Sequence, residues 1–517
     1  MINLQSMITR AAGLNPAGVA TRFMGREHSW SQLENRIARF ATALGTLGLK
    51  EGDRVAILSL NSDRYYESVF AIPWAGLCMV PLNTRWALAE NSYALSDSGT
   101  KVLLFDDAFM DQAGKLLFEI DDLSTAIYLG DKECPEWAEP SEALIASNKP
   151  ATPSSRGGDD MAGIFYTGGT TGFPKGVMQS HRAIWASAIG AIPEFQMTQE
   201  SRYLHVAPMF HMADFAGSMG ATLRAASNII VAGFDAAQTL ETLAVEGVTH
   251  TLMVPSMIKM VLNHPDSVTT DCSRLEVVIY GASPMPKTTL QQFMERWPEV
   301  GLAQAYGQTE LAPIVTMLSV LDHRIGGARL HSAGRPTPVS DIRIVDEEGN
   351  LCPTGVCGEV TVRGPHAMIG YWDKPEQTEK TLKDGWIYTG DAGRFDQDGF
   401  LYIVDRVKDM VITGGENVFT TEVENAVGSH PAVQDVSVIG IPHEEWGEAV
   451  HAIVILVPGQ TATEEDIIAH CRELIAGYKL PKSITFRDEP LPLSGAGKVL
   501  KTELRKPYWE GLDRQVN

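Results

Sequence analysis

Short apolar runs bounded by turn residues alternate with stretches of helical period along the first third of the chain. Trp30-Ser31-Gln32-Leu33 opens an amphipathic segment that continues to about Leu47, and Lys50-Glu51-Gly52-Asp53 supplies a turn behind it. Arg54-Val55-Ala56-Ile57-Leu58 then has the length and apolar content of a buried strand. Asp63 to Ala75 has helical spacing, and strand candidates follow at Met79-Val80-Pro81-Leu82, Val102-Leu103-Leu104-Phe105 and Ala126-Ile127-Tyr128-Leu129. Strands separated by helical stretches predict a largely parallel sheet covered on both faces, so the fold class is α/β.

Residues 150–160, rich in proline, serine, glycine and aspartate, predict a loop. The alternation resumes at Thr251-Leu252-Met253-Val254-Pro255 and Val277-Val278-Ile279-Tyr280-Gly281. From about Gly334 to Asp405 short strands and frequent turns predict a small β-barrel-like module. An α+β unit follows, with strands expected at Val436-Ser437-Val438-Ile439 and Ala452-Ile453-Val454-Ile455-Leu456. The expected organisation is a large N-terminal domain of parallel-sheet α/β subdomains over 1–405, its β module at about 334–405, and a small C-terminal domain over 406–517.

Composition narrows the partners. The chain has 517 residues, too many for one core, and carries a net charge of −22. So acidic a chain is not expected to take nucleic acid or an anionic membrane as its main partner, and a phosphate ligand must be held by local donors. The N-terminus lacks the basic-then-apolar layout of a signal peptide, and no apolar run reaches the length that spans a bilayer. The six cysteines are scattered; Cys352 and Cys357 lack the companions of a zinc site. A cytoplasmic protein with no integral membrane association is expected, and a homodimer is left open.

The candidate chemistry centres on Tyr166-Thr167-Gly168-Gly169-Thr170-Thr171-Gly172-Phe173-Pro174-Lys175-Gly176-Val177, with four glycines, three threonines and a lysine. Glycines let successive N–H groups converge on an anion, threonine hydroxyls add donors, and lysine adds a charge. That inventory suits a polyphosphate. It is not a Walker A loop: Phe173 stands where the second glycine would be, and Pro174 removes an N–H. An apolar run, Met161 to Phe165, leads into the loop as a buried strand would.

Further motifs follow in order: Pro208-Met209-Phe210-His211, Tyr280-Gly281-Ala282-Ser283-Pro284, Gln304-Ala305-Tyr306-Gly307-Gln308-Thr309-Glu310, Tyr388-Thr389-Gly390-Asp391, Asp405-Arg406-Val407-Lys408-Asp409 and Pro492-Leu493-Ser494-Gly495-Ala496-Gly497-Lys498. Together, from about Trp30 to Arg505, they resemble the adenylate-forming superfamily of acyl- and aryl-CoA synthetases, peptide-synthetase adenylation domains and firefly luciferase. The resemblance implies that a carboxylate attacks the α-phosphate of ATP to give acyl-AMP and pyrophosphate, and that the thiol of coenzyme A then displaces AMP.

The resemblance also implies roles for residues of this chain. Thr167, Gly168, Gly169, Thr170, Thr171, Gly172 and Lys175 would cradle the β- and γ-phosphates; relatives most often have serine where Gly169 stands. Glu310 would ligate Mg²⁺, to which a hard carboxylate oxygen is suited, and Thr309 would meet the α-phosphate. Gly281, Ala282, Ser283 and Tyr306 resemble an adenine slot, Asp391 a ribose ligand, and Arg406 a ribose or phosphate contact. Lys498 would stabilise charge in the first half-reaction. Lys408 would be the hinge of a mobile C-terminal domain, with Gly414, Gly415, Glu416 and Trp446 toward coenzyme A. Leu480 departs from those relatives that place arginine there, which weakens the nucleotide contacts expected for coenzyme A.

The acyl pocket is expected at Met209, His211, Met212, Phe215 and Ala305. Met212 stands where amino-acid-activating relatives place an aspartate, which disfavours amino acids. The apolar, adaptable surroundings suit a hydrophobic acid. The overall pattern looks most like bacterial fatty-acyl-CoA ligases of medium-to-long preference. Aryl acids of the cinnamate or benzoate type, small thioether or branched acids, and an acyl-AMP ligase that loads a carrier protein remain open.

Overall fold

The computed structural model describes residues 2–167, 174–406, 409–413, 416–443, 446–493 and 499–510. It divides into two compact units, Met1–Asp341 with Val362–Ile387, and Ile342–Thr361 with Tyr388–Asn517.

The first unit is built on two sheets. One has eight strands in the order Gly370–Tyr371, Lys175–Ser180, Met161–Thr167, Cys78–Pro81, Arg54–Leu58, Thr100–Phe105, Thr125–Tyr128 and Glu139–Pro140. It is parallel from Met161–Thr167 through Glu139–Pro140 and antiparallel at the other edge. The other has nine strands in the order Arg335–Pro336, Ile314–Leu318, Gly301–Gly307, Val277–Gly281, His250–Leu252, Arg202–His205, Ser227–Ile230, Val19–Phe23 and Arg26–Ser29. Its six central strands, Gly301–Gly307 through Val19–Phe23, are parallel. The α/β class with largely parallel sheets is therefore the fold observed.

Local sequence explains the elements. The helix Trp30–Gly45 starts where Ser29 accepts from Gln32 N and Gln32 accepts from Ser29 N, a capping box that satisfies two terminal donors. Ser62 caps Asp63–Trp74 with a single bond, its hydroxyl accepting from Tyr65 N. The run Val277–Gly281 is buried at every position, as a central strand covered on both faces must be. The strand expected at 251–255 is shorter, His250–Leu252, because Pro255 occupies the first turn of the helix Pro255–Asn263. A core containing Ile57, Phe70, Phe165, Phe210 and Phe215 joins residues from both sheets.

In the second unit, Tyr388 to Phe395 belongs to the strand Trp386–Phe395, which pairs antiparallel with Leu401–Arg406. The long hairpin Val433–His443 with Gly447–Leu456 is joined in parallel by Ser483–Phe486. The helices Thr420–Gly428 and Glu464–Arg472 contribute Val423, Val427, Ile467 and Cys471 to its apolar core. Among the described residues no helix is long and apolar enough to cross a membrane.

Candidate active site

The strands Met161–Thr167 and Lys175–Ser180 form an antiparallel hairpin in which Thr167 and Lys175 are direct partners. Gly168, Gly169, Thr170, Thr171 and Gly172 lie outside the described residues. The hairpin is anchored beside its loop end. Tyr166 donates its hydroxyl to Asp97 Oδ2 at 2.7 Å, and burial, reinforced by that carboxylate, raises its pKa far above the ordinary tyrosine value. The short strand Gly370–Tyr371 pairs with the outgoing strand, placing Tyr371 opposite Val177.

Glu310 sits in the single 3-10 turn Thr309–Leu311, just past the strand Gly301–Gly307. Thr309 is buried, and its carbonyl accepts from Gln179 Nε2, on the strand that Lys175 begins. Met368 N donates to Glu310 O at 2.9 Å. The Tyr371 hydroxyl donates to Glu310 Oε1 at 2.7 Å, and Lys175 Nζ lies over the same ring, 5.0 Å from its centroid. Burial, followed by the Glu310 charge, pushes the Tyr371 hydroxyl well above its usual pKa, so it stays protonated and remains a donor.

Among the described residues no group of three or more His, Cys, Asp or Glu side chains could hold a metal ion. A single carboxylate fits Mg²⁺ that arrives on a polyphosphate, because that ion keeps waters and phosphate oxygens and needs only one or two protein carboxylates. Glu310, with Lys175 close by, matches this donor set.

The paired strands Val277–Gly281 and Gly301–Gly307 bring Gly281 directly opposite Ala305. A Cβ on Gly281 would lie 2.2 Å from the Ala305 carbonyl oxygen, so only glycine permits this approach. Ala282 follows with φ +66°, a left-handed conformation that turns the chain sharply off the strand end. Ala282, Ser283 and Tyr306 are partly exposed around this strand end, and Tyr306 pairs across the sheet with Thr316. Tyr280 points the other way and hydrogen-bonds His323 Nε2 at 2.8 Å.

His211 is the N-cap of the helix Met212–Arg224, its Nδ1 accepting from Ala213 N at 3.3 Å. Met209, Met212 and Phe215 are buried within one apolar cluster, and Phe215 meets Phe165 edge to face at 5.3 Å. The sequence-predicted acyl residues around His211 therefore gather at the start of this helix. Asn61 fixes the preceding loop by donating to Ala207 O and accepting from Met209 N.

Beneath the same helix lies a polar network without solvent contact. His205 and Asp214 are fully buried, with Nδ1 and Oδ2 2.7 Å apart. Asn228 Nδ2 donates to Ala20 O, which leaves its Oδ1 to accept from His205 Nε2 at 2.9 Å. Tyr203 donates to Asp214 Oδ1 at 3.2 Å.

In the second unit Asp391 is buried and is the cross-strand partner of Arg406. The Arg406 and Glu416 side chains, and Lys408, Gly414, Gly415 and Lys498, lie outside the described residues. Trp446 stacks on His443 with ring centroids 4.2 Å apart, and Lys482 Nζ lies 5.0 Å from the indole centroid.

The structure thus brings Thr167, Lys175 and Glu310 toward one another, joins Gly281 with Ala305, and groups His211 with Met209, Met212 and Phe215. Tyr371 and Gln179 were not singled out from sequence. The signals available were Gln179, a polar residue directly after the apolar pair Val177-Met178, and Gly370-Tyr371-Trp372 amid polar turns.

Comparison with known proteins identifies the family. Residues 8–372 match the AMP-binding enzyme family and residues 422–498 match the AMP-binding enzyme C-terminal domain. A feruloyl-CoA synthase from Amycolatopsis sp is 35% identical over 513 residues, covering 98% of this chain and 99% of its own length. A medium/long-chain-fatty-acid–CoA ligase, FadD8 of Mycobacterium tuberculosis, is 37% identical over 500 residues, covering 94% of this chain and 86% of its own length. The crystal structure of ATP-bound MatB from Rhodopseudomonas palustris superposes with a TM-score of 0.89 at 29% identity, over 98% of this chain and 99% of that one. The chain belongs to the AMP-binding enzyme family, the adenylate-forming superfamily that its motifs resemble.

Proposed function

We propose that this protein is an AMP-forming acid–CoA ligase that activates a hydrophobic carboxylic acid, with a medium- to long-chain fatty acid as its leading substrate. The observation that carries the proposal is the meeting of the Thr167–Lys175 hairpin and the Glu310 turn across Tyr371. A polyphosphate needs a cation and N–H donors on one side and a metal-binding carboxylate on the other, and little covalent help. ATP, Mg²⁺ and coenzyme A are the small molecules this chemistry requires. Mg²⁺, when bound with the nucleotide, neutralises phosphate charge. The residues of this chain do the rest. Thr167, Lys175 and the intervening glycine and threonine loop hold the β- and γ-phosphates, and Thr309 meets the α-phosphate. Gly281, Ala282, Ser283 and Tyr306 receive the adenine, while Asp391 and Arg406 hold the ribose. His211 borders the substrate carboxylate, and Lys498 stabilises the charge that redistributes as acyl-AMP forms. The Lys408 hinge then exchanges Lys498 for the Gly414, Gly415, Glu416 and Trp446 face, along which coenzyme A enters.

The buried methionines Met209 and Met212 favour a flexible alkyl chain, because unbranched thioether side chains adapt to varied shapes. A second reading, an aryl acid, is favoured by the edge-to-face pair Phe165 and Phe215 beside them. Pyrophosphate release across fatty acids of graded length and across benzoates and cinnamates, with and without coenzyme A, decides between them. Turnover confined to aryl acids would reject the first reading, and release without coenzyme A-dependent discharge would reject the ligase. Lys498→Ala is expected to abolish acyl-AMP formation while sparing thioester formation from supplied acyl-AMP; equal loss of both would remove Lys498 from its role.

A further inference from the structure

Two oppositely charged side chains, Lys175 at the start of a strand and Glu310 in a 3-10 turn, reach the same partly buried region. Left to themselves they would attract each other, and an ion pair would have to break before a metal–nucleotide could bind. A neutral side chain stands at this point. The Tyr371 hydroxyl donates to Glu310 Oε1, and the face of the Tyr371 ring receives Lys175 Nζ.

The ring is fixed from several directions. Tyr371 is buried, and its N–H donates to Thr378 Oγ1 at 2.9 Å. Trp372 N donates to Gly176 O at 2.8 Å, and the indole Nε1 donates to Asp97 O at 2.8 Å. Gly370–Tyr371 is itself a strand paired with Val177 and Met178. Held this way, the phenol occupies one lone-pair direction of Glu310 Oε1 and leaves Oε2 to accept a metal. The bond is charge-assisted and therefore orients the carboxylate strongly. The ring face attracts the ammonium without neutralising it.

We propose that Tyr371 is a positioning residue that orients Glu310 for Mg²⁺ and keeps Lys175 from pairing with it, so that both charges remain available to the incoming nucleotide. This rests on the reading of Glu310 as the metal ligand and Lys175 as a phosphate ligand. It assigns Tyr371 no contact with the reacting atoms.

The test is binding, not turnover. Calorimetric titration of the full chain with α,β-methylene-ATP at a series of free Mg²⁺ concentrations gives nucleotide Kd as a function of Mg²⁺. Tyr371→Phe keeps the ring and removes the hydroxyl. It is expected to move the midpoint of that dependence to about tenfold higher Mg²⁺, the loss typical of a hydrogen bond to a charged group. Kd at saturating Mg²⁺ should stay within about twofold. Tyr371→Leu also removes the ring, and should weaken binding at saturating Mg²⁺ as well. Glu310→Gln is the control. If it leaves the Mg²⁺ dependence unchanged, the reading of Glu310 fails; if it shifts the dependence and Tyr371→Phe does not, only the role of Tyr371 fails. In the double variant the Tyr371→Phe effect should vanish, and additive effects would overturn the proposal.

Discussion

The His205–Asp214–Asn228 network makes a quantitative demand on the helix Met212–Arg224, whose first turn carries Met212 and Phe215. Asp214→Leu would remove the acceptor of two bonds, one from His205 at 2.7 Å and one from Tyr203 at 3.2 Å. It would leave a His205 ring, fully buried, facing an apolar side chain. The His205 Nδ1 and the Tyr203 hydroxyl would be without that acceptor, and each buried group left unsatisfied costs about 1–3 kcal/mol. His205→Leu with Asp214→Leu removes both partners; it leaves Asn228 Oδ1 and the Tyr203 hydroxyl short of one bond each, at about 1–3 kcal/mol apiece. The double variant should therefore lose at least about 1 kcal/mol less than the two single variants summed. Equilibrium urea unfolding of the four proteins gives the free energies, and hydrogen exchange over residues 212–224 localises the effect. If Asp214→Leu cost under about 1 kcal/mol, or the two substitutions were additive, the pair would not be the coupled unit its geometry implies.

Two further outcomes follow from particular residues. Gly281→Ala should cost about 1–3 kcal/mol as an overpacked contact between paired strands, since its Cβ would meet the Ala305 carbonyl at 2.2 Å. ATP affinity should fall with it, and an unchanged unfolding midpoint in urea with unchanged ATP binding would contradict the slot geometry. Glu67 is fully buried beside Arg36, and burial raises its pKa to about 7 despite that guanidinium. Because the folded value is raised, the stability it contributes is complete below the unfolded value near 4.5 and is lost as pH rises through about 7. Urea unfolding at pH 5 and pH 8 should show a smaller pH 5 to pH 8 loss in Glu67→Gln than in the unaltered protein, and equal losses would rule the titration out.

Much of the fold was legible because it depends on local pattern. Val277–Gly281 read as a strand from its apolar run, and the amphipathic segment from Trp30 read as a helix, whose capping box the structure then adds at Ser29 and Gln32. The strand at 251–255 was drawn too long because its apolar residues continue into a helix opened by Pro255. The Gly/Thr/Lys loop was legible from its residues, whereas the other motif residues of the candidate site were legible through their resemblance to the adenylate-forming superfamily. Tyr371 was not: its partner Glu310 is 61 residues away, and nothing local distinguishes it from another aromatic of the same turn-rich stretch. The His205–Asp214–Asn228 network was hidden for the same reason, since each member is an ordinary polar residue in an apolar stretch until the sheet brings them together.

The central claim is that an oxygen of the substrate acid attacks the α-phosphorus of ATP. Turnover of a carboxylate labelled with ¹⁸O in both oxygens, with ATP, Mg²⁺ and coenzyme A, should deliver one ¹⁸O into the phosphate of AMP and none into pyrophosphate. Label recovered in inorganic phosphate alongside ADP, or AMP free of label, would contradict it.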